Sequence, residues 1–159
     1  MVIKTGIFAG FISLILAFIA EIPIFPPNNL VLNLKIFSFE STDFYFWGYI
    51  TDGFAFTSTI GFIPESLISI VIWLILLLIG LNSIMASTKK AKFNNSLKLF
   101  KINILFSVLF LTIFSLVIFF LILDDFTSTL NVIGFGYYSI ILILILNIFA
   151  LKTLKKGDI

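Results

Sequence analysis

Four long apolar runs alternate with shorter polar stretches along the chain, at about residues 6–24, 66–86, 102–123 and 132–151. Each is near the ~20 apolar residues that a helix needs to cross a bilayer. Pro23, Pro26 and Pro27 close the first run, because proline removes a backbone donor and restricts the residue before it. Pro64-Glu65-Ser66 reads as the start of the second, with proline in the first turn and an acid at the positive end of the helix dipole. The first run is a poor signal peptide, since a cut after Ala20 would leave the bulky Phe18 two positions before it.

The stretch from about 28 to 62 follows a different period. In Leu30–Ser41, Asn33 and Lys35 fall on one side of an alternation and Leu32, Leu34 and Ile36 on the other, which predicts a half-buried strand. Phe44–Ile50 and Phe54–Ile60 then flank Thr51-Asp52-Gly53. Asp-Gly between two aromatic runs predicts a hairpin, because a type I′ turn needs positive φ at both central residues. With Asp52 and Gly53 as the turn, Tyr49 opposes Phe56, Trp47 opposes Ser58 and Tyr45 opposes Ile60. Tyr45, Trp47, Tyr49, Phe54 and Phe56 then share one face with Ile60. A lone hairpin is marginal in water, so a sheet of three or more strands packed on the helix ends is expected. The aromatic face suits a cover over the bundle or a belt at the lipid headgroups. It also suits a contact surface for another protein, where Trp and Tyr are favoured anchors.

Within the first run, Gly6, Gly10, Ser13, Ala17 and Ala20 recur in steps of four, three, four and three, which is one narrow helical stripe. Phe8, Phe11, Ile15, Phe18 and Ile19 lie opposite. Small residues let helix backbones approach in a membrane, so the stripe is expected to face the other helices and the Phe face to meet lipid or a neighbouring subunit. Glycine and alanine are also simply common in membrane helices. Asn82, Asn103 and Asn147 fall at similar depth on three different runs. They form a candidate polar layer, each contact worth ~1 kcal/mol, or each bonds to backbone nearby.

Composition agrees with a membrane setting. Hydrophobic residues make up 60% of the 159 residues and charged ones 11%, against roughly a quarter in soluble domains. Charge sets the expected orientation. Lys4, the linker of about 87–101 with its five lysines, Lys152, Lys155 and Lys156 put nine lysines and one acid (Asp158) on one side, a balance of +8. The other side holds Lys35 against seven acids, a balance of −6. Lysine-rich loops stay in the cytoplasm, so both termini belong there and the 28–62 segment lies outside, in a plasma-membrane protein. The inner lysines suit anionic lipid headgroups as well.

Candidate chemistry is sparse. The sequence has no His and no Cys, so imidazole bases, thiol nucleophiles and the usual zinc or haem ligands are missing. No ionisable residue lies deep in a span, which weighs against a pump, a proton-coupled transporter or an ion-selective pore. Glu21, Glu65, Asp124 and Asp125 sit near span ends, where paired carboxylates can bind Ca²⁺ but more often stay solvated. No enzyme activity, cofactor, metal or nucleic-acid partner is expected.

The order of parts is helix, long outer loop with strands, helix, short basic turn, helix, short outer loop, helix. This order resembles the claudin and peripheral-myelin-protein group. Phe46-Trp47-Gly48 is similar to that group's Gly-Leu-Trp strand, and Phe62-Ile63-Pro64-Glu65-Ser66-Leu67 is similar to its Leu-Pro-x-x-Leu lead-in to the second span. The family's outer-loop cysteine pair, first-loop Trp and charged pore pattern are absent. The resemblance implies lateral assembly, cell–cell contact or modulation of a partner membrane protein. The expected fold is thus a membrane all-α four-helix bundle, left-handed, with a small extracellular antiparallel β-sheet, a claudin-like α+β arrangement in one domain. The expected function is a non-catalytic scaffold that presents the sheet for lateral assembly or adhesion, as a homo-oligomer or with other membrane subunits. The alternatives are an accessory subunit of a respiratory or transport complex and, less favoured, a small-molecule transporter.

Overall fold

Apolar runs this long have one economical conformation, in which every backbone group bonds within its own segment. The runs form α1 (Lys4–Phe18), α2 (Ser66–Ser87), α3 (Phe93–Asp124) and α4 (Phe135–Lys156). The computed structural model describes residues 2–19, 21–24, 29–39, 41–46, 48–51, 57–58, 66–88, 91–124 and 133–156, with the side chains of 21–32, 39, 57–58, 66–69, 72 and 121–124 outside that description. The described residues are mostly helical, with small antiparallel sheets. Two of the helices, α3 as far as Phe120 and α4, are long and apolar enough to cross a membrane.

Successive helices run antiparallel. Ser13 of α1 meets Leu76 of α2, Ser83 of α2 meets Asn103 of α3, and Asn103 meets Asn147 of α4. Because α4 also packs on α1, each helix lies mainly between two neighbours. The starts of α1 and α3 and the ends of α2 and α4 therefore share one end, and the exposed lysines Lys4, Lys92, Lys98, Lys101, Lys152, Lys155 and Lys156 gather there. At this end the last carbonyls of α2 find donors outside their own helix: Ile3 N–H reaches Ser87 O at 3.1 Å and Ser96 Oγ reaches Ala86 O at 2.9 Å. The α2–α3 connection is shorter than the linker of 87–101 expected from the lysines. Helix α3 starts at Phe93, so Lys98 and Lys101 are helical. Lysine is a good helix former, and a run of them marks water rather than a helix end.

The first span also differs from expectation. Helix α1 stops at Phe18, and residues 21–24 of the expected 6–24 span form strand β1 (Glu21–Ile24). It pairs antiparallel with β2 (Asn29–Asn33), and the register shifts between Ile22 and Pro23. A bulge is where a strand tolerates proline, which has no N–H for the ladder.

A second sheet joins β3 (Phe37–Phe39), β4 (Thr42–Phe44), β5 (Gly48–Thr51) and β6 (Thr57–Ser58) in sequence order, all antiparallel. The expected strand Leu30–Ser41 is thus two strands, split at residues 34–36. The expected aromatic strand Phe44–Ile50 is also broken: Phe44 pairs with Tyr49, and Tyr45 N–H bonds to Gly48 O at 2.8 Å, so the chain reverses between Tyr45 and Gly48. Register differs too. Tyr49 pairs with Thr57 and Gly48 with Ser58, one residue out of the register set by a two-residue Asp52-Gly53 turn. Residues 52–56 lie outside the described residues.

The break at 34–36 is where the sheet enters the bundle. Leu34 and Ile36 are buried, and with Phe46 they join the core of Leu16, Leu76, Ile79, Phe110, Phe114 and Ile140. Phe46 meets the rings of Phe110 and Phe114 edge-on, each at 6.3 Å between centroids. The same segment closes the start of α4. Gly136 N–H bonds to Lys35 O at 2.8 Å and Gly134 N–H to Ile36 O at 2.9 Å, which satisfies donors that a helix start leaves unpaired. A Cβ on Gly134 would strike the backbone of Lys35, and one on Gly136 the backbone of Leu34. The approach needs glycine at both positions.

Candidate functional site

Two places in the fold gather polar or aromatic side chains in a way that local structure does not require. The first is a layer across α2, α3 and α4, about one turn above the lysines. Asn103 on α3 is fully buried, and its Nδ2 lies 2.8 Å from Ser83 Oγ, 3.2 Å from Ile79 O and 3.3 Å from Asn147 Oδ1. Ser83 Oγ donates to Asn147 Oδ1 at 2.9 Å, and Asn147 Nδ2 donates to Ile143 O of its own helix at 2.9 Å. Asn82 Nδ2 reaches Asn103 Oδ1 at 3.4 Å from the rim. The structure brings Asn82, Asn103 and Asn147 together, and Asn147 also bonds to backbone within its helix. Ser83 was not singled out from the sequence, although its place beside Asn82 on the inward side of α2 could have suggested it. Above and below, Ser107 and Ser87 bond to carbonyls four residues earlier.

None of these groups titrates in the ordinary pH range, and each buried polar atom of the layer has a partner. The buried polar side-chain atom without one among the described residues is Thr5 Oγ1, at the start of α1. The layer can fix the rotation and depth of three helices against one another, since an amide pulled out of register would be left unpaired in an apolar surround.

Helix α1 joins the bundle by the small residues. Gly6, Gly10, Ser13 and Ala17 are buried, whereas Ala20 lies outside the described residues. A Cβ on Gly10 would stand 2.8 Å from Gly80 O of α2, and Ser13 Oγ donates to Leu76 O at 2.7 Å. Trp73 Nε1 of α2 donates to Ala17 O at 2.9 Å, and its ring meets Phe18 edge-on.

The second place is the outer sheet. Phe37, Phe44 and Tyr49 stand side by side on β3, β4 and β5, with centroids 4.9 Å apart in the first pair and 6.3 Å in the second. On the alternate face Lys35 Nζ lies 3.1 Å from Asp43 Oδ1, which also accepts from Ser38 Oγ. The expected face of Tyr45, Trp47, Tyr49, Phe54 and Phe56 is not assembled. Tyr45 is buried, Tyr49 belongs to the Phe37–Phe44 row, and Trp47, Phe54 and Phe56 lie outside the described residues. The chain reversal between Tyr45 and Gly48 is the cause: it sets Tyr49 of β5 opposite Phe44 of β4, while Tyr45 lies just past the end of β4. Glu21, Glu65, Asp124 and Asp125 have no described side chains, so the Ca²⁺ reading of them finds no geometry here.

Comparison with known proteins adds no relative: no protein-family model, no curated protein and no solved structure matches the chain.

Proposed function

We propose that this chain is a four-span membrane scaffold with no catalytic centre, which assembles laterally with copies of itself and presents its sheet outside the cell. The observation that carries the reading is an inverted polarity. The interior holds Ser13, Ser83, Asn103, Ser107 and Asn147, while Phe8, Phe11, Phe120 and Phe149 stand at least half exposed. In water such a surface would be a large apolar patch. In lipid it carries no penalty, and small residues with interhelical hydrogen bonds hold the helices together. Helix α2, 22 residues without a charge, has the length of a span. Helix α1 at about 22 Å falls short of the hydrocarbon thickness, a mismatch that modest local thinning accommodates. The lysine end faces the cytoplasm in this reading. The likeness to claudins is one of element order.

Purification in mild detergent followed by native mass spectrometry tests the proposal. A scaffold yields mainly multiples of the 17.9 kDa chain. Unrelated proteins at fixed stoichiometry favour a second reading, an accessory subunit of a larger membrane complex. The exposed stripe of Phe8, Phe11, Ile15 and Phe18 on α1 supports that alternative, because aromatic anchors are frequent in subunit interfaces.

A further inference from the structure

We infer that the flank between α3 and α4 seats one anionic phospholipid, with an acyl chain in the groove beside Val108 and Leu144 and its phosphate at Lys98, Lys101 and Lys155. The inference rests on the membrane reading above.

An open groove of about 620 Å³ runs along this flank, with Val108, Thr112, Ser115, Leu116 and Phe119 of α3 on one wall and Leu144 of α4 on the other. That volume is within the usual range for small-molecule sites. Its two hydroxyls are engaged. Thr112 Oγ1 donates to Val108 O at 2.9 Å, and Ser115 Oγ shares a hydrogen bond of 2.8 Å with Tyr137 of α4. The wall is therefore apolar in effect and suits a hydrocarbon chain.

The groove leads to the lysines by helical periodicity. Val108, Thr112, Ser115 and Phe119 recur in steps of four, three and four, and Lys101 continues that stripe seven residues back, about 10 Å toward the lysine end. Lys98 lies one turn further along its edge. On α4 the Ser115–Tyr137 bond shows which side faces α3. Leu144 is seven residues beyond Tyr137, and Lys155 eleven beyond Leu144, each within about 20° of the same line. All three lysines are exposed, and among the described residues none of the three is in an ion pair. The acid of α3, Asp124, is at its far end, and α4 has none. Three ammonium groups in line with an apolar groove, about 10–16 Å beyond its lining toward the lysine end, match a molecule with a phosphate head and a hydrocarbon tail. A free phosphate would make no use of the groove, and a zwitterionic lipid would gain less from the charge.

The test is native mass spectrometry of the full chain in detergent with phosphatidylglycerol or phosphatidylcholine of equal chain length. One phosphatidylglycerol is expected to stay bound under activation that strips phosphatidylcholine. The variant Lys98→Gln/Lys101→Gln/Lys155→Gln should lose about tenfold or more of that preference, given the worth of a lysine near an anionic headgroup. Lys4→Gln/Lys92→Gln removes charge from the same end of the bundle away from the groove and should stay within about twofold, since distant charges are screened. Leu144→Trp, which narrows the groove without changing charge, should also lower retention. Equal losses in the groove and control variants, no preference between the lipids, or displacement of the lipid by inorganic phosphate would overturn the site. Vesicle flotation after alkaline carbonate separates the two claims. A chain that stays with the vesicles but shows no preference sinks only the lipid site, and one that is extracted sinks the membrane reading with it.

Discussion

The two ends of the bundle are held by different forces. Near the lysines, α2, α3 and α4 meet through amides and hydroxyls, and α1 meets α2 where Gly10 faces Gly80. At the sheet end buried apolar side chains join the contact: Leu34, Ile36 and Phe46 fill the space between helices against Phe110 and Phe114, beside the backbone bonds of Gly134 and Gly136. Apolar packing has a solvent drive only where the separated surfaces would meet water. Between helices in lipid, close backbone contact and hydrogen bonds must serve instead. In the proposed membrane setting the sheet segment is the part of the chain with water as its alternative, and it is the part that docks by burying Leu34, Ile36 and Phe46.

Four substitutions probe this contrast, from the largest expected effect to the smallest. Phe46→Ala should cost about 3–5 kcal/mol of docking at the sheet end, the range for emptying a buried aromatic site. Limited proteolysis should then cut within 29–51 while thermal unfolding of the helices in detergent changes little. If the helices melt together with the sheet, the two ends are one cooperative unit and the contrast fails. Gly10→Ile tests the other end, where the added side chain meets Ile84 and the Gly80 carbonyl. Overpacking of this kind costs about 1–3 kcal/mol, so the melting temperature in detergent should fall and Gly10→Ala should fall less. An unchanged melting temperature would count against the glycine crossing.

Asn103→Leu should cost less, about 1 kcal/mol. A double-mutant cycle with Asn147→Leu should give a coupling energy of the same order, whereas additive losses would mean that the layer does not act as a unit. Smallest is Lys35→Gln on the sheet. The Lys35–Asp43 pair is partly exposed, so it is worth about 0.2–1 kcal/mol, and the loss should vanish in high salt. A larger, salt-independent loss would show that the pair also positions the Lys35 carbonyl against α4.

How much of this was legible in the residues follows from the range of the forces. Helical periodicity is local, and the buried positions Gly6, Gly10, Ser13 and Ala17 share a stripe that can be counted along one run. The common depth of Asn82, Asn103 and Asn147 could be counted from the lysines, but which partners each amide takes could not. The aromatic run FYFWGYI has no turn residue before Gly48, so nothing local announces that it reverses between Tyr45 and Gly48; burial of Phe46 among α3 side chains competes with strand propensity and wins. Register is equally non-local, because a loop one residue longer reverses every side chain that follows. Gly134 and Gly136 could not be interpreted at all without their partner, Lys35, roughly a hundred positions earlier.

That separation has a consequence for biosynthesis. Translation proceeds at about 5–20 residues per second, so the carbonyls at 35 and 36 are made on the order of ten seconds before the amides of Gly134 and Gly136 that bond to them. Until the last helix emerges from the ribosome, Leu34 and Ile36 have no finished seat. A nascent chain stalled short of residue 134 should therefore leave this segment open to chaperones and proteases, and the arrival of α4 would be the step that locks it.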